Sequence, residues 1–348
     1  MNKRQLIVVL GMHRSGTSAI TRGLQVMGVE LGDKLMPGIE GNNAKGFWED
    51  IDINSLNNEM LKLLKKDWYS LIPIEQHDIE ALNKAGYFLS AVELLSRKMA
   101  DFLNFAFKDP RISKLLPFWK SVFSHCRLDV RYVVAIRNPI SVAKSLLKRD
   151  KFDMRVSYLL WLGHVITIMS GTEGCKRVFV DYDRLMQSPE HDLYRVAECF
   201  GLEIDPIELE NYKQEFLDEG LRNTIYQLSD LLLEEDCPRL VYEVYAVLLD
   251  LASEKFRIDA TTLHNQVSNW AKEFNCLDSQ SLLSLVDGMS KEIVERDEKI
   301  AERDREIAER DTKIKAIYNS HSWRLTRPLR FFAQLIRDPR VTIARLRG

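Results

Sequence analysis

Leu6-Ile7-Val8-Val9-Leu10, followed at once by Gly11-Met12-His13-Arg14-Ser15-Gly16-Thr17-Ser18, decides how the rest of this chain is read. The first five residues are apolar, few and partly β-branched, the make-up of a strand buried on both faces of a parallel sheet. Residues 19–27 then show helical spacing and stop at Gly28, a suitable end cap. A glycine-bounded loop between a buried strand and a helix start is a natural anion site. Backbone N–H groups converge at the positive helix terminus, and glycines permit close approach. Gly11, His13, Arg14, Ser15, Gly16, Thr17 and Ser18 are therefore the candidate phosphate-binding residues. The spacing is that of GxxxxGK[ST], except that Thr17 stands where the lysine belongs. Without that lysine the loop lacks the main point charge for a triphosphate. The cation it offers is Arg14, so it is expected to handle a different donor.

Working outward, further strands are predicted at 102–107, 131–136 and 177–180, with helices at 140–148 and 156–169 between them. The third strand ends at Arg137-Asn138-Pro139, where Pro139 suits a first helical turn. Strands separated by helices imply an α/β fold with a parallel sheet flanked by helices. From 207 to 286 only helical patterns appear. Ile293, Ile300, Ile307 and Ile314 then recur every seven residues, preceded by Leu282, Val286 and Met289. That is a coiled-coil seam, half of it charged because Arg296, Arg303 and Arg310 take the alternate seam positions. A weak homodimer through 282–318 is expected, with a solvated single helix as the alternative. The last stretch carries Arg324, Arg327, Arg330, Arg337, Arg340, Arg345 and Arg347 against Asp338, interleaved with Trp323, Leu325, Phe331 and Phe332. Such a basic amphipathic tail suits an anionic membrane surface; the alternative is packing on its helical neighbour. The expected divisions are an α/β domain at 1–235, a helical extension at 236–281, a coiled-coil-like helix at 282–318 and the tail at 319–348.

The 348 residues suggest two structural units. With 45% hydrophobic and 29% charged residues the chain reads as globular. Lysine and arginine total 49 against 51 acidic residues, a net charge of −2, which argues against a dedicated nucleic-acid binder. Five scattered cysteines without a CxxC pair fit neither a disulfide framework nor a zinc site and point to a reducing cytoplasm. No apolar run approaches the length of a membrane span, which leaves the tail as the candidate contact with the inner membrane face.

The loop, with a cation one residue before Ser15-Gly16-Thr17, resembles the 5′-phosphosulfate loop of sulfotransferases that use 3′-phosphoadenosine-5′-phosphosulfate (PAPS). Arg137, followed eight residues later by Ser145, resembles that family's 3′-phosphate segment; Ser141, one helical turn earlier, competes with Ser145. Tyr182 matches a family tyrosine near the adenine. Phe107-Lys108-Asp109-Pro110-Arg111 resembles the Lys-Asp-Pro segment of tyrosylprotein sulfotransferases, and the loop arginine is also nearer to tyrosylprotein and bacterial-type members than to cytosolic small-molecule ones. The resemblance spans residues 5–190 and implies a P-loop-type sheet and metal-free sulfuryl transfer from PAPS to a hydroxyl of a carbohydrate or lipid-linked glycan.

In this reading Arg14 meets the leaving group and Lys108 is the second cation. Glu49, in Gly46-Phe47-Trp48-Glu49-Asp50, is the candidate base, with Phe47 and Trp48 excluding water from it. Its bland alternative is an acidic residue preceding a helix at 50–64. His13 is the competing base. Asp109 and Arg111 read as a structural pair, and Arg222 in Leu221-Arg222-Asn223 as a further candidate for the 3′-phosphate. Two rivals remain on sequence grounds: a small-molecule kinase with an altered loop, and a non-catalytic assembly subunit.

Overall fold

The computed structural model describes residues 4–39, 45–217, 226–254, 259–277, 302–318 and 325–326. Strand β1 (Gln5–Leu10) is buried at every position and lies inside the sheet. β2 (Asn104–Lys108) pairs on one side of it and β3 (Asp129–Ile136) on the other, with β4 (Lys176–Asp181) beyond β3. All three pairings are parallel, so every connection must cross the sheet, and helices make the crossings. The predicted second strand is displaced toward its C-terminus. Pairing fixes it: Val9 stands opposite Lys108, which carries the lysine to the strand's end.

Alternation along the strands divides the core. Ile7, Val9, Val133 and Val178 face one side, where they meet Ile20 and Leu24 of α1 (Thr17–Leu24) and Leu193, Val196 and Phe200 of α9 (Pro189–Phe200). Phe107 faces the other side, against Trp119 and Phe123 of α5 (Ile112–His125), at ring separations of 5.7 and 6.2 Å. The β1–β2 crossover also contains α2 (Ile51–Leu63), α3 (Gln76–Lys84) and α4 (Tyr87–Lys98). Between β3 and β4 run α6 (Pro139–Asp150) and α7 (Met154–Gly171). α8 (Tyr182–Gln187) opens directly from β4, and α10 (Pro206–Asn211) follows α9.

The chain forms two compact units, 1–282 and 283–348. In the first, α11 (Arg239–Ser253) packs on β4 and α7, and α12 (Ala260–Cys276) on α7. The helical extension thus joins the same body as the sheet, and after β4 no described residue is in a strand. In the second, 302–318 is a helix whose Ile307, Ile314 and Ile317 are exposed. The remainder of the expected coiled coil (282–301) and all of the tail but 325–326 lie outside the described residues, as does Arg222. Among the described residues no helix is long and apolar enough to cross a membrane. All five cysteines are free.

One buried cation fixes the start of α2. Asp50 caps that helix, its Oδ1 accepting from the N–H groups of Asp52 and Ile53 at 3.0 and 3.1 Å. Lys98 Nζ, at the end of α4, lies 2.8 Å from Asp50 Oδ2 and 2.9 Å from both Asp52 Oδ2 and Asp33 Oδ1. Burial opposes the charge, but hydrogen bonds to the three carboxylates outweigh it and hold Lys98 above the ordinary lysine range. Lys98→Met leaves Asp50 buried without its cation and is expected to cost about 3 kcal/mol of stability in urea unfolding; an unchanged unfolding midpoint would show that Lys98 anchors nothing.

Candidate active site

A parallel sheet brings the C-terminal ends of its strands to one edge, the usual place for ligands in open α/β sheets. Here that edge carries the loop after β1, Lys108 at the end of β2, Arg137 just beyond β3 and Tyr182 just beyond β4. The loop lies close against the neighbouring strand ends. A Cβ on Gly11 would sit 2.9 Å from Thr17 Cγ2 and 3.0 Å from Ala135 Cβ. A Cβ on Gly16, whose φ is +80°, would sit 2.0 Å from Tyr182 Cδ2, so only glycine fits there. Ser15 and Thr17 are buried beneath the turn. The first turn of α1 directs its unbonded N–H groups to this edge.

Arg14 occupies the left-handed region, with φ 69°, a conformation that costs a non-glycine residue roughly 1–2 kcal/mol. Arg137 holds it there by donating from Nη1 to the Arg14 carbonyl at 3.0 Å. Arg14 Nε in turn donates to Ser145 Oγ at 2.8 Å. The Arg137 guanidinium also lies over the Tyr182 ring, 4.5 Å from its centroid. Four residues singled out on three separate segments are thus linked in one chain of contacts, Ser145 to Arg14 to Arg137 to Tyr182. Ser145 is the serine that meets Arg14; Ser141 is buried one turn earlier on α6. Burial first, then the guanidiniums of Arg149 and Arg137, lower the proton affinity of Arg14. Several cations are being held close together, which an anion would relieve.

Beside the loop, Lys108 (2% exposed) and Glu49 (6% exposed) form a buried ion pair, Nζ to Oε1 at 2.7 Å. Lys108 Nζ also lies 3.5 Å from Ser18 Oγ, and Ser18 donates to the Phe47 carbonyl at 3.0 Å, which fastens the Glu49 segment to α1. Glu49 Oε2 accepts from Asn54 Nδ2 at 2.8 Å. Asp109 accepts from Asn57 at 3.0 Å on Oδ2 and from Arg111 Nη1 at 3.0 Å on Oδ1. Arg111 Nη1 is 3.8 Å from Glu49 Oε2. Burial raises the pKa of Glu49; Lys108 opposes the rise and Asp109 adds to it.

Three of the expected site residues have surroundings that the sequence does not show. Trp48 does not shield Glu49: its Nε1 donates to the Lys45 carbonyl at 2.9 Å and its ring packs edge-on against Phe216. Tyr182, matched to an adenine contact, fills the space between Gly16 and Arg137 and is 8% exposed, so it also supports the loop. His13, the competing base, lies against Trp68 with ring centroids 4.2 Å apart and planes tilted by 46°, and its buried Nε2 has no partner among the described residues. Burial, then the charges of Arg111 and Arg149, push its pKa well below the usual histidine value. Its imidazole is thereby held toward the neutral form, while burial raises the pKa of the Glu49 carboxyl.

Sequence reasoning passed over Asn54, Asn57, Trp68 and Arg149. The asparagines resemble solvent-facing helix positions until the buried carboxylates they serve are located. Arg149 lies over Trp68 at 5.6 Å, and Phe152 packs on the same ring at 5.5 Å. Only the placement of Arg149 one turn after Ser145 hinted at its direction. Among the described residues no cluster of His, Cys, Asp or Glu is placed to hold a metal ion.

No protein-family model and no curated protein matches this sequence. Among solved structures it is similar to the sulfotransferase domain from the Synechococcus PCC 7002 olefin synthase, at 12% identity and a TM-score of 0.39, covering 78% of this chain and 95% of that one. It is also similar to the sulfotransferase domain from the curacin biosynthetic pathway, at 13% identity and a TM-score of 0.39, covering 79% and 99% respectively.

The raised Glu49 pKa gives a pH-dependent stability. Unfolded, Glu49 ionises near the ordinary value of about 4.3; folded, it holds its proton to higher pH. The native state then binds more protons across that window, so the stability this group contributes is present at acid pH and lost as pH rises through the raised value. Glu49→Gln removes the loss. Melting temperatures of variant and parent are expected to agree at the acid end and to separate in the variant's favour toward neutrality; parallel curves would contradict the assignment.

Proposed function

We propose that this chain is a sulfotransferase that takes its sulfuryl group from PAPS and delivers it to a hydroxyl. The observation that carries the reading is the meeting, at one sheet edge, of a lysine-free anion loop, the cations Arg14, Arg137 and Lys108, and a buried carboxylate with a raised pKa 2.7 Å from Lys108. The residues suit a bisphosphorylated donor. Gly11 and Gly16 let the loop settle onto Ala135 and Tyr182, and Arg137 Nε is a buried donor with no partner among the described residues.

In the reaction Glu49 takes the proton from the acceptor hydroxyl. That oxygen forms its bond to sulfur as the bond from sulfur to the bridging oxygen breaks, and the electron pair leaves on the 5′-phosphate of 3′-phosphoadenosine 5′-phosphate. Arg14 and the loop amides meet that charge, with Lys108 alongside. Arg137 and Ser145 take the 3′-phosphate. A transferred group with less negative charge than a phosphoryl makes a guanidinium and amides adequate where a kinase uses its loop lysine and a metal. The acceptor in this proposal is a carbohydrate or lipid-linked glycan; half-buried Trp68 and Tyr69 with Phe152 form an aromatic wall near His13 on which a sugar's C–H face can pack.

At a hundredfold excess over Kd, 3′-phosphoadenosine 5′-phosphate should stabilise the chain by about 2.7 kcal/mol in a thermal-shift assay. Arg14→Ala should abolish that shift, and with it transfer of labelled sulfate from PAPS to glycan acceptors. Stabilisation by ATP with Mg²⁺ instead would establish the kinase alternative, and no response to either nucleotide would favour the assembly-subunit alternative.

The second unit supports self-association with another copy of this chain. Ile307 and Ile314 are 57% and 47% exposed, seven residues apart on one face of the 302–318 helix. Ile307→Lys should lower the mass measured by sedimentation equilibrium toward that of one chain; an unchanged mass would reject this seam as the contact.

A further inference from the structure

The first two turns of α2 carry asparagines at 54, 57 and 58, three and four residues apart and hence along one side of the helix. Their amides form a connected chain. Trp119 Nε1 donates to Asn57 Oδ1 at 2.8 Å, and Asn57 Nδ2 donates to Asp109 Oδ2 at 3.0 Å. Asn58 Nδ2 donates to Asn54 Oδ1 at 2.9 Å. That last bond decides which way the Asn54 amide faces, because the flipped amide would set N–H against N–H and turn its oxygen toward two carboxylates. Correctly turned, Asn54 Nδ2 donates to Glu49 Oε2 at 2.8 Å and reaches Asp109 Oδ2 at 3.4 Å. Asn54 is itself buried, at 7% exposure.

We propose that Asn54 is the positioning residue of the candidate base: its amide, set between Glu49 and Asp109, fixes Glu49 Oε2, so that Glu49 keeps its aim when Lys108 turns from Oε1 toward an anion. The inference deepens the sulfuryl-transfer reading and rests on it for the identity of the base. The geometry separates the two oxygens of Glu49. Oε1 is tied to Lys108, whose ammonium also faces Ser18 at the loop and has a competing attraction once the loop holds an anion. Oε2 is tied to a neutral amide on α2, which has no such reason to move. The charged groups facing Glu49 are Lys108 and Asp109 from the end of β2 and Arg111 at the start of α5. The Asn54 amide lies between the two carboxylates, giving each a donor and limiting their repulsion. Loss of its N–H removes a hydrogen bond to the ionised form of Glu49, which disfavours that form.

The test compares Asn54→Leu with Asn58→Ala, an exposed change that only frees the Asn54 amide to rotate. In ¹³C-carboxyl NMR on the full chain, with the Glu49 signal assigned through Glu49→Gln, Asn54→Leu is expected to move the Glu49 titration to higher pH. Asn58→Ala should move it less, in the same direction. In sulfuryl transfer from PAPS the acidic limb of kcat should move the same way, with kcat at the plateau down roughly tenfold, the worth of about one hydrogen bond to a charged group, and the donor KM unchanged. Glu49 titrations identical to the parent in both variants overturn the proposal, as does a fall in kcat with a stationary limb, which a merely structural asparagine would give. A parent chain that binds no 3′-phosphoadenosine 5′-phosphate but shows the displaced titration keeps Asn54 as the positioner of Glu49 and refutes only the reaction.

Discussion

The site depends on how little room the turn after β1 leaves. Gly16 rests on the Tyr182 ring and Gly11 on Ala135, so the ends of β3 and β4 form the floor under the loop. Arg137 ties this floor together, bonding the Arg14 carbonyl above and lying over Tyr182 below. The left-handed backbone at Arg14 is tolerable because its surroundings over-determine it. The consequence is an arginine whose side chain leaves the loop toward α6 and finds Ser145. Loop shape, strand order and the placement of the cation are one constraint.

Electrostatics around this turn run against the near-neutral charge of the whole chain. Arg14, Arg137, Arg149, Lys108 and Arg111 surround the edge, and the burial that lowers the proton affinity of Arg14 and His13 is the same burial that raises Glu49. Burial pushes Arg14, His13 and Glu49 toward their neutral forms, while Arg111, against its own burial, is held charged by Asp109 and Glu49. An anion at this edge would offset the crowding of its cations. The Lys98 cluster is the quieter counterpart: one ammonium satisfied by three carboxylates, holding α2 so that Glu49 before it and Asn54 within it keep their places.

Much of this was legible in the sequence, for local reasons. The apolar run of β1 and the glycine spacing after it are properties of thirteen consecutive residues, and Arg137 with Ser145 sit on one strand-turn-helix unit. What resisted reading was whatever depended on two distant segments at once. Asn54 is unremarkable on a helix until Asp109 and Lys108 arrive from β2. Trp48 looked like a shield for Glu49 because the two are adjacent in sequence, yet successive residues point apart, and Trp48 went to Phe216. The second strand was misplaced because periodicity cannot say which residue pairs with which; only its register with β1 can.

The sheet order also bears on how the chain is made. β1 precedes the other strands of its sheet and needs a neighbour on each side, yet its partners begin at Asn104 and Asp129. At roughly 5–20 residues per second of synthesis, its five-residue apolar run waits several seconds with neither edge satisfied. Contacts so far apart along the chain make for slow folding and a period open to wrong associations. The arrangement that sets the loop among its neighbours therefore leaves this strand's edges open until translation supplies their partners.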